Sequence, residues 1–134
     1  MNKEEALLEG GCMCGEVRYK VEGTPTYAAN CHCRDCQRAI GAGVVTWFGA
    51  RPADLTVTKG DLTFCETSPG VFRGFCGRCG SSLTFGGEGW DDIGITAASL
   101  DSPSAVTPES NVFLSHKQLW IIADVSLRNY QGFP

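Results

Sequence analysis

An all-β domain of small sheets, stapled by metal, is the fold class this chain predicts. Three observations carry that expectation. Short alternating or apolar segments recur between Gly, Pro, Asp and Ser punctuation, in a chain with 17 glycines. Only one stretch has helical character, and it is a turn or two long. Seven of the eight cysteines fall into three tight clusters, Cys12-x-Cys14, Cys31-x-Cys33-x-x-Cys36 and Cys76-x-x-Cys79.

Val17, Tyr19 and Val21 alternate with Glu16, Arg18 and Lys20, the pattern of a half-buried strand. Tyr27-Ala28-Ala29 leads into the second cysteine cluster. Val44-Val45-Thr46-Trp47-Phe48, Leu55-Thr56-Val57-Thr58 and Leu62-Thr63-Phe64-Cys65-Glu66 are β-rich runs bounded by turns. Val71-Phe72-Arg73-Gly74-Phe75 runs into Cys76, and Ser82-Leu83-Thr84-Phe85 runs away from Cys79. Ile93-Gly94-Ile95-Thr96, Val112-Phe113-Leu114 and Leu119-Trp120-Ile121-Ile122 complete the predicted strands. The helical piece is Cys36-Gln37-Arg38-Ala39-Ile40, with Asp35 placed to cap it. Trp47, Phe48, Phe64, Phe72, Phe75, Trp90 and Trp120 are assigned to the core rather than to a ligand surface.

The 134 residues read as one domain, 1–134, long enough to bury a core unaided. Hydrophobic content of 43% and charged content of 19% are ordinary for a globular chain. A net charge of −4 and a pI near 5.1 argue against a nucleic-acid partner, whose phosphates need a basic face. The first nine residues hold three acids and no apolar stretch of signal-peptide length, and no run is long enough to span a membrane. A cytoplasmic, reducing location follows as the expectation, and there cysteines serve as metal ligands more readily than as disulfides. The alternative is a secreted disulfide domain, but cysteines this close in sequence would form strained bridges with each other.

Four thiolates close a tetrahedral zinc site, whereas three leave one position open. Cys76-Gly77-Arg78-Cys79-Gly80 has the form of a zinc knuckle, whose backbone N–H groups can bond to the thiolates. It supplies half a tetrahedron. Cys12 and Cys14, at i and i+2 on one side of an extended segment, supply the other half. Joining the pairs closes a loop of roughly 60 residues, which suits a structural site whose binding energy adds to folding. Cys31, Cys33 and Cys36 arise within six residues with no obvious fourth local ligand. Three thiolates on Zn²⁺ make a soft, weakly acidic centre, suited to activating a thiol rather than making hydroxide. Cys36, at the start of the helix, has its thiolate favoured by backbone N–H groups.

His32 lies between two ligands and should point the opposite way, toward packing or solvent. His116, in Ser115-His116-Lys117, reads as an exposed turn residue. Cys65 is the odd cysteine: it either closes a Cys₄ site with Cys31, Cys33 and Cys36, removing the open position, or is a small core residue on its strand, the preferred reading. Arg34 and Arg38 flank the triplet and either pair with substrate carboxylates or are solvated. Gln37 either contacts a ligand or braces the loop.

These residues resemble the glutathione-dependent formaldehyde-activating (GFA) family, which includes centromere protein V-like proteins. The likeness runs from Gly10-Gly11-Cys12-x-Cys14-Gly15-x-Val17-Arg18-Tyr19 through Cys31-His32-Cys33-x-x-Cys36-Gln37-Arg38 and Gly41-Ala42. It continues over Ser68-Pro69-Gly70-Val71-x-Arg73-Gly74-Phe75-Cys76-x-x-Cys79-Gly80-Ser81-Ser82-Leu83, and reaches Lys117-x-x-Trp120 and Gly132-Phe133-Pro134. The resemblance implies a β-tent-like zinc-binding fold of small antiparallel sheets. It implies two zincs per chain, a structural one on Cys12, Cys14, Cys76 and Cys79 and a catalytic one on Cys31, Cys33 and Cys36. The family activity is addition of glutathione to formaldehyde, giving S-(hydroxymethyl)glutathione, a carbon–sulfur lyase chemistry.

The leading functional expectation is therefore a zinc-dependent carbon–sulfur lyase or synthase acting on a small-molecule thiol, with glutathione as the family's thiol. Two rivals stand beside it. One is a non-catalytic zinc-binding protein-interaction module. The other is a redox sensor whose unmetallated Cys31/Cys33/Cys36 cluster oxidises to a disulfide.

Overall fold

The alternation of apolar and polar residues resolves into eleven strands and one α-helix in a computed structural model that describes residues 7–134. The acidic stretch over residues 1–6 lies outside the described residues. In chain order the strands are β1 (Leu7–Gly11), β2 (Arg18–Glu22) and β3 (Tyr27–Cys31), followed by the helix α1 (Arg34–Ile40). Then come β4 (Val45–Ala50), β5 (Leu55–Lys59), β6 (Leu62–Ser68), β7 (Val71–Cys76) and β8 (Ser82–Gly87). The last are β9 (Ile93–Thr96), β10 (Ser110–Val112) and β11 (Arg128–Asn129). The all-β expectation holds.

Two sheets form. A three-stranded antiparallel sheet has the order β1-β2-β5, and an eight-stranded sheet has the order β11-β10-β3-β4-β9-β8-β7-β6. The larger sheet is antiparallel from β3 to β6, while β10 runs parallel to both β3 and β11. Because successive side chains on a strand point to opposite faces, β3, β4 and β8 each feed two cores. Ala28 and Phe48 join Val17, Tyr19, Val21, Leu83 and Ile95 between the two sheets. Their sequence neighbours Ala29 and Trp47 turn to the other face, against Cys31, Cys36, Val45 and Val112. Small Ala29 sits directly opposite bulky Trp47 in the β3–β4 register, which leaves room for the indole.

Close approach explains one glycine and conformation another. A Cβ on Gly10 would fall 2.5 Å from the Tyr19 hydroxyl, which bonds Ser99 Oγ at 2.6 Å. Gly41 ends α1 in the left-handed region at φ 75°, and its N–H closes on the Gln37 carbonyl.

Several expectations are corrected. The helix begins at Arg34, not Cys36, and its cap is Cys33 rather than Asp35, because the Cys33 sulfur accepts the Cys36 N–H. Leu119-Trp120-Ile121-Ile122 is a loop, not a strand. The Lys117 ammonium donates to the carbonyls of Gln118 and Ile121 and curls the chain around itself. Leu119, Trp120 and Ile122 are accordingly exposed, as are Phe64 and Trp90, so these three aromatics leave the predicted core. β10 stops at Val112 because Phe113 adopts a left-handed φ of 56°. Cys65 is exposed on the edge strand β6 and lies in neither metal-spaced cluster, so it is neither a core residue nor a fourth sulfur. β1 and the two-residue β11 carry too little alternation to announce themselves.

No helix among the described residues is long and apolar enough to cross a membrane.

Candidate functional site

Two turns meet to form the first cysteine cluster. At the end of β1, the Gly15 N–H bonds the Cys12 carbonyl and the Cys12 N–H bonds the Val17 carbonyl. At the end of β7, the Gly80 N–H closes on the Cys76 carbonyl at 2.8 Å, giving the knuckle its tight shape. Ser81 joins the two turns by accepting the Met13 N–H at 3.0 Å. The sulfurs of Cys12, Cys14, Cys76 and Cys79 all lie within 4.8 Å of one another. Cys12–Cys14 and Cys14–Cys76 are 3.6 and 3.8 Å apart. A tetrahedron with zinc–sulfur bonds of about 2.3 Å has edges of about 3.8 Å, so this donor set fits a metal of that size. Disulfides need sulfurs at about 2.05 Å, and all eight cysteines are free.

Backbone N–H groups point at these sulfurs, as a knuckle requires. Val17 donates to Cys12 Sγ at 3.2 Å, and Arg78 and Cys79 both donate to Cys76 Sγ at 3.4 Å. Ser81 bonds the Cys79 sulfur and draws its thiol down to about 5. Cys12 and Cys76 are buried in the core between the sheets, whereas Cys14 and Cys79 are exposed.

The second cluster lies on the opposite face of the large sheet. Cys31 ends β3, Cys33 caps α1 and Cys36 sits in its first turn, so one β–α junction presents all three sulfurs. They too lie within 4.8 Å, with Cys31 and Cys36 at 3.7 Å. Among the described residues no fourth Cys, His, Asp or Glu completes the group. The Cys36 thiol is drawn down to about 3 by hydrogen bonds from Cys31 and Cys33 and by Arg73. Cys31 moves the opposite way, because Cys33, Cys36 and burial all oppose its ionisation.

Gln37 acts as the brace of this junction. Its Nε2 donates to the carbonyls of His32 at 2.7 Å and His116 at 3.2 Å, and its Oε1 accepts from Arg34 Nη1 and Gln118 Nε2. His32 turns away from the sulfurs into the protein, where burial lowers its pKa. His116 is exposed, as expected, and its Nδ1 accepts the Arg34 N–H at 3.4 Å.

Cys31, Cys33 and Cys36 open into a cleft of about 1160 Å³, whose lining also includes Arg34, Arg38 and His116. One wall is aromatic. Trp47 packs on Phe85 at 5.7 Å, and Phe85 meets Trp90 edge-to-face at 5.1 Å. The Arg73 guanidinium lies 4.4 Å from the Phe85 ring centre, with Nη2 3.7 Å from Cys36 Sγ. The cleft combines apolar walls and three sulfurs with the guanidiniums of Arg34, Arg38 and Arg73 and the carboxylates of Asp35, Asp91 and Asp92.

Arg73, Phe85, Trp90, Asp91, Asp92, Phe113 and Phe133 line this cleft without having been singled out as site residues. Arg73 did carry a signal: it is the one charged residue in an otherwise apolar strand that ends on the knuckle. The others are brought in by sheet order and the C-terminal segment, which leave no local mark.

The family model for glutathione-dependent formaldehyde-activating enzymes matches residues 7–116. A protein of Halomonas elongata, provisionally named a glutathione-dependent formaldehyde-activating enzyme, is 33% identical over 141 aligned positions, covering 96% of this chain and 89% of that one. In fold, the chain is similar to a crystal structure of a Rhodobacter sphaeroides protein, with a TM-score of 0.60 and 24% identity over 91% of this chain and 98% of that one.

Proposed function

Because the chain belongs to the glutathione-dependent formaldehyde-activating family, we propose that it is a zinc-dependent carbon–sulfur lyase or synthase that joins a small thiol to an aldehyde and reverses the step. The single observation that carries this reading is the three-sulfur cluster, with no fourth ligand among the described residues, opening into a cleft. Cys12, Cys14, Cys76 and Cys79 would hold a structural zinc, and Cys31, Cys33 and Cys36 a catalytic one. Zinc bound at the second set supplies the positive charge that keeps a substrate thiol ionised at neutral pH.

The chain's own residues do the rest. Cys31, Cys33 and Cys36 would hold that zinc, and no fourth ligand among the described residues would compete with a substrate sulfur for it. Arg34 and Arg38 offer guanidinium groups to the carboxylates of a glutathione-like thiol. The aromatic wall of Trp47, Phe85 and Trp90 limits water around the reacting pair. Held together there, the thiolate sulfur attacks the carbonyl carbon, the C=O π pair moves to oxygen, and that oxygen takes a proton from solvent. The whole chain works as one domain in a reducing, cytoplasmic setting, with glutathione and formaldehyde as the substrates to try first.

The test is two-dimensional exchange NMR on glutathione, formaldehyde and their hydroxymethyl adduct. Zinc-loaded protein should speed the exchange in proportion to its concentration, and Cys33→Ser should abolish the acceleration while keeping the thermal transition. Absence of acceleration by wild-type protein carrying two zincs, with glutathione and with other small thiols, would refute it. The exposed Leu119, Trp120 and Ile122 favour a second reading, a zinc-binding interaction module, under which Cys33→Ser would leave function intact.

A further inference from the structure

We propose that Arg73 is the counter-ion of the three-cysteine cluster, a positioning residue that sets how tightly that cluster holds its metal. The inference rests on the reading that Cys31, Cys33 and Cys36 hold a metal, and goes beyond it by assigning a role to a residue outside the ligand set.

Arg73 is half-buried in the middle of β7, yet among the described residues no carboxylate pairs with it. Its Nη1 is buried without any hydrogen-bond partner, and the partner of Nη2 is a sulfur, Cys36 Sγ at 3.7 Å. A cation withdrawn from water needs compensating charge nearby, and Cys36 is the ionisable group that the fold sets against this guanidinium. The need is mutual. Three thiolates around a divalent ion carry a net charge of −1, and one guanidinium brings the assembly to neutrality.

The fold fixes this placement. Arg73 and Phe85 face each other across the β7–β8 register, so the guanidinium lies on the ring at 4.4 Å. Phe85 is held in turn between Trp47 and Trp90. A planar cation on an aromatic face has few alternative positions, so its charge stays aimed at Cys36. Cys76, three residues along the same strand, serves the first cluster, which makes that cluster an internal control on folding.

The experiment is a competitive chelator titration of zinc-loaded protein, paired with the sulfur-to-cobalt charge-transfer spectrum of the Co²⁺ form. Arg73→Met keeps a stem that can lie on Phe85 and removes the charge. It should weaken the second metal about 10- to 100-fold, the usual cost of losing an outer partner. The first metal should be unchanged, and the charge-transfer bands should shift to lower energy as the thiolates become better electron donors. Arg73→Lys, which keeps the charge but not the planar stack on Phe85, should bind the second metal more tightly than Arg73→Met. Unchanged affinity and spectrum in Arg73→Met would overturn the proposal. Should Arg73→Met fail to fold, unchanged affinity and spectrum in a folded Arg73→Gln, which also removes the charge, would overturn it as well. Wild-type protein that binds only one metal would instead refute the three-cysteine metal reading on which the inference rests.

Discussion

The double variant Cys14→Ser/Cys79→Ser isolates what the first metal contributes to stability. Both side chains are exposed, so exchanging sulfur for oxygen opens no core cavity and removes little apolar contact. What is lost is the cross-link between two turns 62 positions apart, taking Cys14 to Cys76 as the span. The chain-entropy relation for a loop of that length gives about 4 kcal/mol. In a domain of this size each kcal/mol moves the midpoint by about 3–5 °C, so the variant should melt roughly 12–20 °C below wild type. Circular dichroism melts of protein with verified metal content measure this directly. A strong chelator should lower wild type by a similar amount and add little to the variant. A variant that has lost the first metal but melts within about 3 °C of wild type would refute the cross-link argument.

Other perturbations test separate parts of the account. Cys65→Ser should leave metal content unchanged and stability within about 0.5 kcal/mol by urea melts, since its side chain is exposed and in neither cluster. Gln37→Leu removes the donor to the His32 and His116 carbonyls, and should cost about 1–3 kcal/mol in the same assay while loosening the second metal more than the first. Burial raises the Tyr19 phenol to about 12. The folded state therefore keeps a proton that the unfolded chain releases near its ordinary value of about 10, so this contribution is complete below pH 10 and lost as pH rises through about 12. Urea midpoints should fall across that window, and the decline should shrink in Tyr19→Phe; a flat profile would contradict the assignment.

The cysteine clusters were legible in the sequence because their geometry is local. A knuckle at Cys76–Cys79 and a triplet at Cys31–Cys36 each need only a few residues to take shape. Strands with clean alternation, such as the one bearing Tyr19 and Val21, were equally legible. Leu119–Ile122 reads as a strand in sequence because β-propensity cannot distinguish a strand from a loop whose carbonyls are gathered by a lysine. Cys33 gives no sequence sign of being a cap, because a cysteine sulfur does there what a serine oxygen does elsewhere. The cleft was the least legible part. Arg73, Phe85, Trp90 and Phe133 meet only once the order β4-β9-β8-β7 and the docking of the C-terminal segment bring them together.

Zinc per chain, measured by mass spectrometry of metals before and after a mild chelator, tests the central claim most directly. The account predicts two zincs, one retained on Cys12, Cys14, Cys76 and Cys79 and one removed more readily from Cys31, Cys33 and Cys36. A single tightly held zinc, with no second even after zinc supplementation, would contradict it.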